Sequence, residues 1–180
     1  MIPFKIEIHD GGVTAALRQM GERAANPAPA LKAIGEALLV QTKRTFETST
    51  DPWGRRWRPN APATFVAMLT RKGSTGNFRA RDGKLSGKGA GRVMAKKPLI
   101  GESRFLSGTS LHYRVSGGEL TLASSAIYAA IHHLGGQAGR GKKVAIPARP
   151  FFPATPGDGI APEAQRSITG IIQEYLLGQP

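Results

Sequence analysis

The glycine- and proline-rich segment 51–99 constrains the fold of this 180-residue chain more than any other feature. Seven glycines and four prolines fall in it, and both residue types interrupt helices and strands. A structureless loop of this length is unusual in a compact domain and normally signals function or disorder. We therefore predict one domain over residues 1–180, from which residues 61–100 project as an extended basic arm or loop. Within it, only "TFVAML" is compatible with a short helix, capped by Thr64.

The positive charge of the chain is concentrated in the same region. The formal net charge is +13. Residues 1–52 carry six basic and six acidic side chains, residues 53–100 carry twelve and one, and residues 101–180 carry seven and five. A confined excess of this kind indicates a surface that faces a polyanion. The basic side chains expected to contact DNA or an acidic partner are Arg55, Arg56, Arg58, Arg71, Lys72, Arg79, Arg81, Lys84, Lys88, Arg92, Lys96 and Lys97.

Hydrophobic periodicity before this segment predicts a strand and two helices. "FKIEI" alternates apolar and charged residues, which is typical of a strand with one buried face. The next two runs place apolar residues at helical spacing. Their stripes are Val13, Leu17, Met20 and Ala24, and then Leu31, Ile34, Leu38 and Phe46.

Regular patterns return near residue 105. "LHYRV" and "ELTLA" alternate around Ser-Gly-Gly, which predicts a hairpin. "SAIYAAIHHLGG" predicts a helix ended by glycine, and Pro162 opens a last amphipathic helix. The prolines of "VAIPARPFFP" confine it to a sheet edge or a rim. We therefore predict an α+β fold, with a small antiparallel sheet packed against two or three helices.

The sequence contains no recognisable catalytic, cofactor or metal motif. Cysteine is absent, and the pattern H-E-x-x-H of zinc proteases does not occur. "GKLSGKG" does not have the spacing of a phosphate-binding loop, and acidic residues are too sparse for an obvious carboxylate pair. No stretch approaches the roughly 20 apolar residues of a membrane span. We therefore expect a non-enzymatic protein without cofactor, metal or membrane partner.

Both tryptophans of the chain, Trp53 and Trp57, lie within "STDPWGRRWRPN". One interpretation is a nucleic-acid-binding loop, in which the rings stack on bases and the arginines bind phosphates. The other is a structural corner, in which the tryptophans pin the root of the arm to the second helix and the arginines extend outward. Single-strand binding uses aromatic side chains spread over a sheet, whereas these cluster at one turn, which favours the corner.

The same stretch resembles a signature of a known family. "DPWGRRWRP" is similar to the Asp-Pro-x-Gly-x-x-Trp-x-Pro pattern of the phage virion morphogenesis (tail completion) family of Mu-like phages. "LIGESRFLSGTSLHYRV", "AIYAAIHHLGG" and "VAIPARPFFP" resemble later family segments in the same order, so the resemblance spans about residues 30–175. His133 stands where the family pattern often has glutamine, and residues 61–100 are longer and more basic than the family requires.

The resemblance implies two sets of functional residues. The first is a structural corner, in which the glycine adopts a left-handed turn and Trp57 is a buried anchor. The corner consists of Asp51, Gly54, Trp57 and Pro59. The second is a subunit interface, for which the prolines, arginine and phenylalanines of "IPARPFF" are suited. Its residues are Tyr128, His132, Arg149, Pro150, Phe151 and Phe152. The alternative is that this segment is an edge strand packed within its own chain.

The resemblance also implies a role in the virion. The expected protein forms a ring at the head–tail junction or the head-proximal tail end, with six subunits by analogy with similar rings. Its partners are then itself, the adjacent connector and tail-tube proteins, and non-specifically the genomic DNA. Two roles remain open for the arm: to line the lumen, or to dock on an acidic neighbouring ring. A monomeric nucleic-acid-binding accessory protein is the alternative function.

Overall fold

A computed structural model describes residues 11–70 and 84–178. Its helices are α1 Val13–Ala25, α2 Ala28–Thr48, α3 Pro62–Thr70, α4 Gly87–Ala95, α5 Ala129–Leu134 and α6 Pro162–Leu177. Its strands are β1 Leu111–Ser116, β2 Glu119–Ser124, β3 Gly136–Ala138, β4 Val144–Ile146, β5 Ala154–Thr155 and β6 Gly159–Ile160. The α+β prediction is confirmed. The strand predicted at "FKIEI" lies outside the described residues.

The strands form three separate two-stranded antiparallel sheets, β1–β2, β3–β4 and β5–β6. The predicted hairpin is confirmed as β1–β2, in which Tyr113 pairs with Leu122. Gly117 and Gly118 connect its strands with φ angles of 60° and 80°. Two successive left-handed residues are characteristic of the tight hairpin turn whose twist matches the strands. The first sheet packs against α2, and α2 in turn packs against α6.

Helix α2 organises the core because its apolar residues belong to two separate buried clusters. Ile34 and Leu38 pack with Ala161 and Ala164 at the start of α6. About two turns beyond Leu38, Phe46 of α2 belongs to a second cluster. Its other members are Trp57, Leu106, Leu111, Ala126, Ala129 and Phe151. The predicted stripe of α2 is therefore buried at three of its four positions, and Leu31 is only partly covered.

Helix α1 forms as its periodicity predicts, yet it contains no buried residue. Val13 is 57% exposed and Leu17 is 61% exposed. Polar contacts attach the end of α1 to α6: Arg23 Nη1 donates to the carbonyl of Leu176 at 2.8 Å, and Tyr175 donates to the carbonyl of Asn26 at 2.6 Å. The prediction of a helix is confirmed, whereas its apolar stripe does not enter the described core.

Within the described part of the predicted arm, α3 covers the short helix predicted at "TFVAML", whereas α4 is helical where the sequence predicts an extended segment. Helix α3 begins at Pro62, two residues before the predicted cap, because proline suits the first position of a helix. Helix α4 contains three glycines and nevertheless forms, since the hydroxyl of Ser86 accepts a hydrogen bond from the Gly89 N–H at 3.2 Å. Asn60 also donates to the carbonyl of Lys96 at 3.2 Å, which fixes the end of α4. Tertiary contacts thus outweigh the low helix propensity of glycine.

Within the described ranges, no helix combines the length and apolar character needed to cross a bilayer.

Candidate functional site

The corner after α2 is organised by the buried carboxylate of Asp51. Its Oδ1 accepts hydrogen bonds from the backbone N–H groups of Trp53 at 3.0 Å and Arg55 at 2.8 Å. Gly54 has a φ of 86°, which glycine adopts at little cost. The backbone N–H of Asp51 donates to the Arg55 carbonyl at 2.8 Å, which closes the loop. The residues around Asp51 and Gly54 therefore form a tight turn, which is held by hydrogen bonds within the loop.

Trp57 anchors this corner in the core. Its ring meets Phe46 of α2 edge to face, with centroids 5.4 Å apart. Its indole N–H donates to the carbonyl of Pro150 at 2.9 Å. Trp53 is partly buried against the Ile34 and Leu38 cluster, also on α2. Both tryptophans thus pack against residues of the second helix, which is the arrangement that the structural interpretation expects.

Arg149 connects the corner with the "IPARPFF" segment. Its Nε and Nη2 donate to the carbonyls of Arg58 and Pro59, each at 2.9 Å. Its backbone N–H donates to the carbonyl of His132 in α5, also at 2.9 Å. Arg149 is buried, and this burial lowers the pKa of its guanidinium. Through its side chain and its backbone, Arg149 therefore joins its own segment to the corner and to α5.

His133 holds the other side of the same segment. Its Nδ1 accepts from the backbone N–H groups of Phe151 at 3.1 Å and Phe152 at 3.4 Å, and its Nε2 lies 3.2 Å from the carbonyl of Ala154. These partners require a neutral imidazole with its proton on Nε2. Burial lowers the pKa of His133, opposed by the hydrogen bond to Ala154. Sequence reasoning missed this role, although a glutamine at this position would offer the same acceptor and donor.

Tyr128, the residue just before α5, lies against His132 of α5. Their rings meet edge to face with centroids 5.9 Å apart, and Tyr128 is 41% exposed. The Nδ1 of His132 is buried and has no hydrogen-bond partner in the described structure. Burial lowers the pKa of His132, and the charge of Arg149 lowers it further.

The residues predicted for a subunit interface divide into two groups. Arg149 and Phe151 are buried within their own chain, and Phe151 is 0% exposed. Tyr128 is exposed, while His132, Pro150 and Phe152 are partly covered. Only β4 of "VAIPARPFFP" is a strand, and the residues after it pack internally, as the alternative proposed. The interface role stays a prediction. Because Phe151 is buried, it can contribute to an interface only by supporting the surface residues from beneath.

Several predicted DNA or partner contacts are engaged inside the chain. Arg55 pairs with Asp51 at 2.6 Å and with Asp158 at 3.1 Å. Lys97 donates to the carbonyl of Glu47 at 2.6 Å, and Lys96 donates to the carbonyl of Ile100. Arg92 lies 3.5 Å from Glu102. A count of charges along the sequence could not show these internal contacts.

Other members of the predicted basic set lie on the surface. Arg56, Arg58 and Lys88 are exposed and make no ion pair with the described residues, and Lys84 is exposed as well. Four members fall outside the described residues, namely Arg71, Lys72, Arg79 and Arg81. The exposed cations occupy two places, the corner and the start of α4. Among the described residues, fewer cations are therefore available to contact DNA or an acidic partner than the sequence suggested.

The corner and the "IPARPFF" segment lie at positions of the family signature, and hydrogen bonds join them. Comparison with known proteins agrees with the resemblance. The profile of the phage virion morphogenesis family matches residues 8–177, and the chain belongs to this family. Among curated proteins, the chain is similar to "Mu-like prophage FluMu G protein 2" of Haemophilus influenzae, strain Rd. The two are 28% identical over 174 residues, which is 96% of each chain. No solved structure matches the chain.

Proposed function

We propose that this chain is a structural protein of a tailed-phage particle that assembles into a closed ring of six copies. The ring lies at the head–tail junction or the head-proximal end of the tail, as a tail completion protein, terminator or connector. The protein works in the host cytoplasm during assembly and in the neck or tail of the virion afterwards. Membership of the virion morphogenesis family supports this role, as does similarity to a Mu-like prophage protein.

The observation that carries the proposal is the set of hydrogen bonds that residues of the two signature segments make to backbone groups. Trp57 and Arg149 both donate to backbone carbonyls of the opposite segment. Asp51 of the signature likewise binds backbone groups, as does His133, which stands where the family pattern often has glutamine. All four therefore fix the positions of two loops, which is the task of an assembly scaffold. We accordingly propose assembly as the function, without a catalytic step or cofactor.

A ring also requires exposed apolar surface, and the α5 region supplies it. Ile127 is 98% exposed, Leu134 is 54% exposed and Tyr128 is 41% exposed. All three lie in or just before α5, which a backbone hydrogen bond from Arg149 to His132 joins to the "IPARPFF" segment. Apolar and aromatic residues held on a rigid support are well suited to a subunit contact, because little conformational entropy is lost on binding. The neighbours of the ring in the particle are then a connector and a tail-tube protein.

The exposed cations of the corner and of α4 have a separate role in this proposal. Arg56, Arg58 and Lys88 either meet the phosphates of DNA in the lumen or dock on an acidic neighbouring ring. DNA that must slide through the lumen argues against a dense basic lining. The internal pairing of Arg55 reduces that density at the corner.

A non-specific nucleic-acid-binding accessory protein is the second candidate. The observation that favours it is that Arg56 and Arg58 are exposed in the same loop and make no ion pair with the described residues. Phosphate contacts of this kind give affinity that falls steeply with salt. This candidate predicts a monomer whose main property is binding to DNA.

Light scattering coupled to size exclusion distinguishes the two candidates. The ring predicts a discrete particle with six times the 19.1 kDa mass of one chain, at low and at high salt. The variant Arg56→Gln/Arg58→Gln/Lys88→Gln keeps this mass and loses affinity for DNA or for the neighbouring ring. Its matched control is Lys32→Gln/Arg114→Gln/Arg166→Gln, which removes the same charge elsewhere on the surface. A monomer that gains mass only with DNA, and loses this gain in the first variant, contradicts the ring.

A further inference from the structure

A wide groove of about 1400 Å³ opens between α2, α3, the end of α4 and the loop 96–108. Small-molecule sites usually measure about 300–1,000 Å³, so this groove is large enough for a peptide segment. The loop is attached to the rest of the fold, because Lys97 Nζ donates to the carbonyl of Glu47 on α2 at 2.6 Å. Ile100 of the same loop packs against the core cluster that contains Phe46. The groove is therefore formed by the chain itself, before any partner binds.

More basic than acidic side chains line the groove. Two glutamates line it, and the five basic residues are Lys43, Arg92, Lys96, Lys97 and Arg104. Arg92 lies 3.5 Å from Glu102, which balances one of these charges. Lys96 and Lys97 donate to backbone carbonyls, which accept a hydrogen bond without balancing the charge. Lys43 and Arg104 are exposed and make no ion pair with the described residues. The lining therefore keeps a net positive charge, which favours an anionic partner.

Apolar side chains also line the groove. Ala67 and Met68 come from α3, Ala95 from α4 and Ile100 from the loop. Met68 and Ile100 are only partly buried, so each has surface left for a contact. Methionine adapts its shape to irregular apolar partners. DNA phosphates are bound through charge and gain little from an apolar lining. The combination favours an amphipathic acidic protein segment, whose apolar face lies in the groove and whose carboxylates meet the cations.

The backbone of Arg104 adopts a conformation that favours glycine, with a φ of 49°. Its N–H donates to the carbonyl of Gly101 at 3.2 Å, and its carbonyl accepts from the hydroxyl of Ser107 at 3.3 Å. A left-handed backbone is unfavourable for residues that carry a Cβ. Stability alone would therefore favour glycine at position 104. An arginine held there against this preference indicates a role for its charge.

We propose that this groove is a docking site for an acidic, amphipathic segment of a neighbouring protein in the particle, with Arg104 and Lys43 binding its carboxylates. The planar guanidinium of Arg104 suits a carboxylate, because its N–H groups match the two oxygens. Lys43 adds a second positive charge from α2. This docking rests on the assembly role proposed above, and it adds to that role a site and the chemistry of one partner.

A synthetic peptide is the probe for the site. It consists of about four helical turns of glutamate, with leucine at every third or fourth position. The anisotropy of the fluorescently labelled peptide is measured in about 0.15 M salt. The wild-type chain is expected to bind it, and to bind the same peptide with glutamine in place of glutamate at least about tenfold more weakly. A peptide that does not bind, or that binds equally well without its carboxylates, overturns the proposal.

Arg104→Gly separates the charge of Arg104 from its effect on the fold. Glycine relieves the left-handed backbone, so the melting temperature is expected to stay or rise while peptide affinity falls about tenfold. Lys142→Gly is the matched control, because Lys142 is a cation with a φ of 54° outside the groove. It is expected to keep the wild-type affinity. Equal losses in the two variants would mean that net charge alone binds the peptide, which overturns the site.

Lys43→Gln tests the contribution of α2. This variant is expected to weaken peptide binding at least about threefold, because it removes one of the two exposed cations of the groove. Lys32→Gln is its control, since Lys32 is exposed on the same helix and does not line the groove. Equal affinities of the two variants contradict the role of Lys43.

Methyl resonances of isotope-labelled methionine locate the peptide on the chain. Met68 lines the groove, whereas Met20 belongs to α1. The Met68 signal, assigned by its loss in Met68→Leu, is expected to shift saturably as peptide is added, and the Met20 signal is expected to stay in place. A Met68 signal that does not move, or that moves no more than the Met20 signal, contradicts binding in the groove.

A short DNA duplex tests the other class of anionic partner. The peptide is expected to stay bound when DNA is added, and Arg104→Gly is expected to bind DNA as the wild-type chain does. DNA that displaces the peptide and loses affinity in Arg104→Gly overturns the protein partner in favour of nucleic acid.

Light scattering keeps the docking site separate from the ring. A chain of six copies that does not bind the peptide overturns the docking site while the ring stands. A chain that binds the peptide in the groove but stays monomeric at every concentration supports the docking site and contradicts the self-assembling ring.

Discussion

The indole N–H of Trp57 donates a hydrogen bond to the carbonyl oxygen of Pro150 at 2.9 Å. The two residues are 93 positions apart in sequence, and each lies in a segment that matches the family signature. Two further hydrogen bonds run from Arg149 to the carbonyls of Arg58 and Pro59. Together the three bonds join the two segments into one frame. The frame presents the exposed α5 surface and is the structural basis of the proposed assembly role.

Trp57→Phe is expected to lower the free energy of unfolding by about 1–3 kcal/mol, because the Pro150 carbonyl loses its partner. Urea unfolding followed by circular dichroism measures this loss. Trp53→Phe is the matched control, since Trp53 is only partly buried and its indole N–H makes no hydrogen bond to the described residues. The control is expected to cost less. Equal losses in the two variants would contradict the anchoring role of Trp57.

Asp51→Ala removes the acceptor of two backbone N–H groups at the corner. Because Asp51 is buried, we expect a loss of about 1–3 kcal/mol in the free energy of unfolding. Asp158→Ala removes the other partner of Arg55, but that pair is exposed, so a smaller effect is expected. The midpoints of urea denaturation compare the two variants. A larger shift in Asp158→Ala would show that the exposed pair, rather than the turn, holds the corner.

Gly35→Ala tests how closely α2 approaches the β1–β2 sheet. A Cβ at Gly35 would overlap the ring of Tyr113, so this change is expected to cost about 1–3 kcal/mol. Gly170→Ala in α6 is the control, because a Cβ there meets no atom within 4 Å. The control is expected to stabilise the protein by up to about 1 kcal/mol, the usual gain of alanine over glycine in a helix. Thermal unfolding of both variants gives the comparison, and stabilisation by both changes would refute the close contact.

The stability of the fold is expected to fall as the pH is lowered through the range below the ordinary histidine pKa of about 6.5. The pKa of His133 is lowered by burial, so the unfolded chain binds protons first. The contribution of His133 is thus present above about pH 6.5 and lost as the pH falls through its lowered folded pKa. Protonation of Nδ1 would also remove the acceptor of the Phe151 N–H.

His133→Gln is the informative variant for this pH dependence. The glutamine amide offers an acceptor and a donor without titrating, so a flatter pH profile is expected. His132→Gln is expected to remove the remaining part of the slope, since burial and the charge of Arg149 lower the pKa of His132 too. The free energy of unfolding between about pH 5 and pH 8 measures both. An unchanged slope in the double variant would contradict this assignment.

The elements that could be predicted from the sequence are those whose signals are local. The Ser-Gly-Gly turn between alternating residues predicted β1–β2, and Pro162 marked the start of α6. The anchoring of Trp57 also followed from its place in the signature. Helix α4 was not predicted, because its three glycines lower its helix propensity and Asn60 reaches its end from outside the segment. The role of His133 likewise depends on backbone groups about twenty residues away.

Electron microscopy of purified particles, with the chain labelled by a gold-conjugated antibody, tests the central claim most directly. We expect gold at a single place per particle, the head–tail junction or the head-proximal end of the tail. The variant Arg56→Gln/Arg58→Gln/Lys88→Gln shows whether the exposed cations are needed for incorporation there. Finished particles that lack the chain, although it is present during infection, would contradict a structural role and leave an accessory role in assembly.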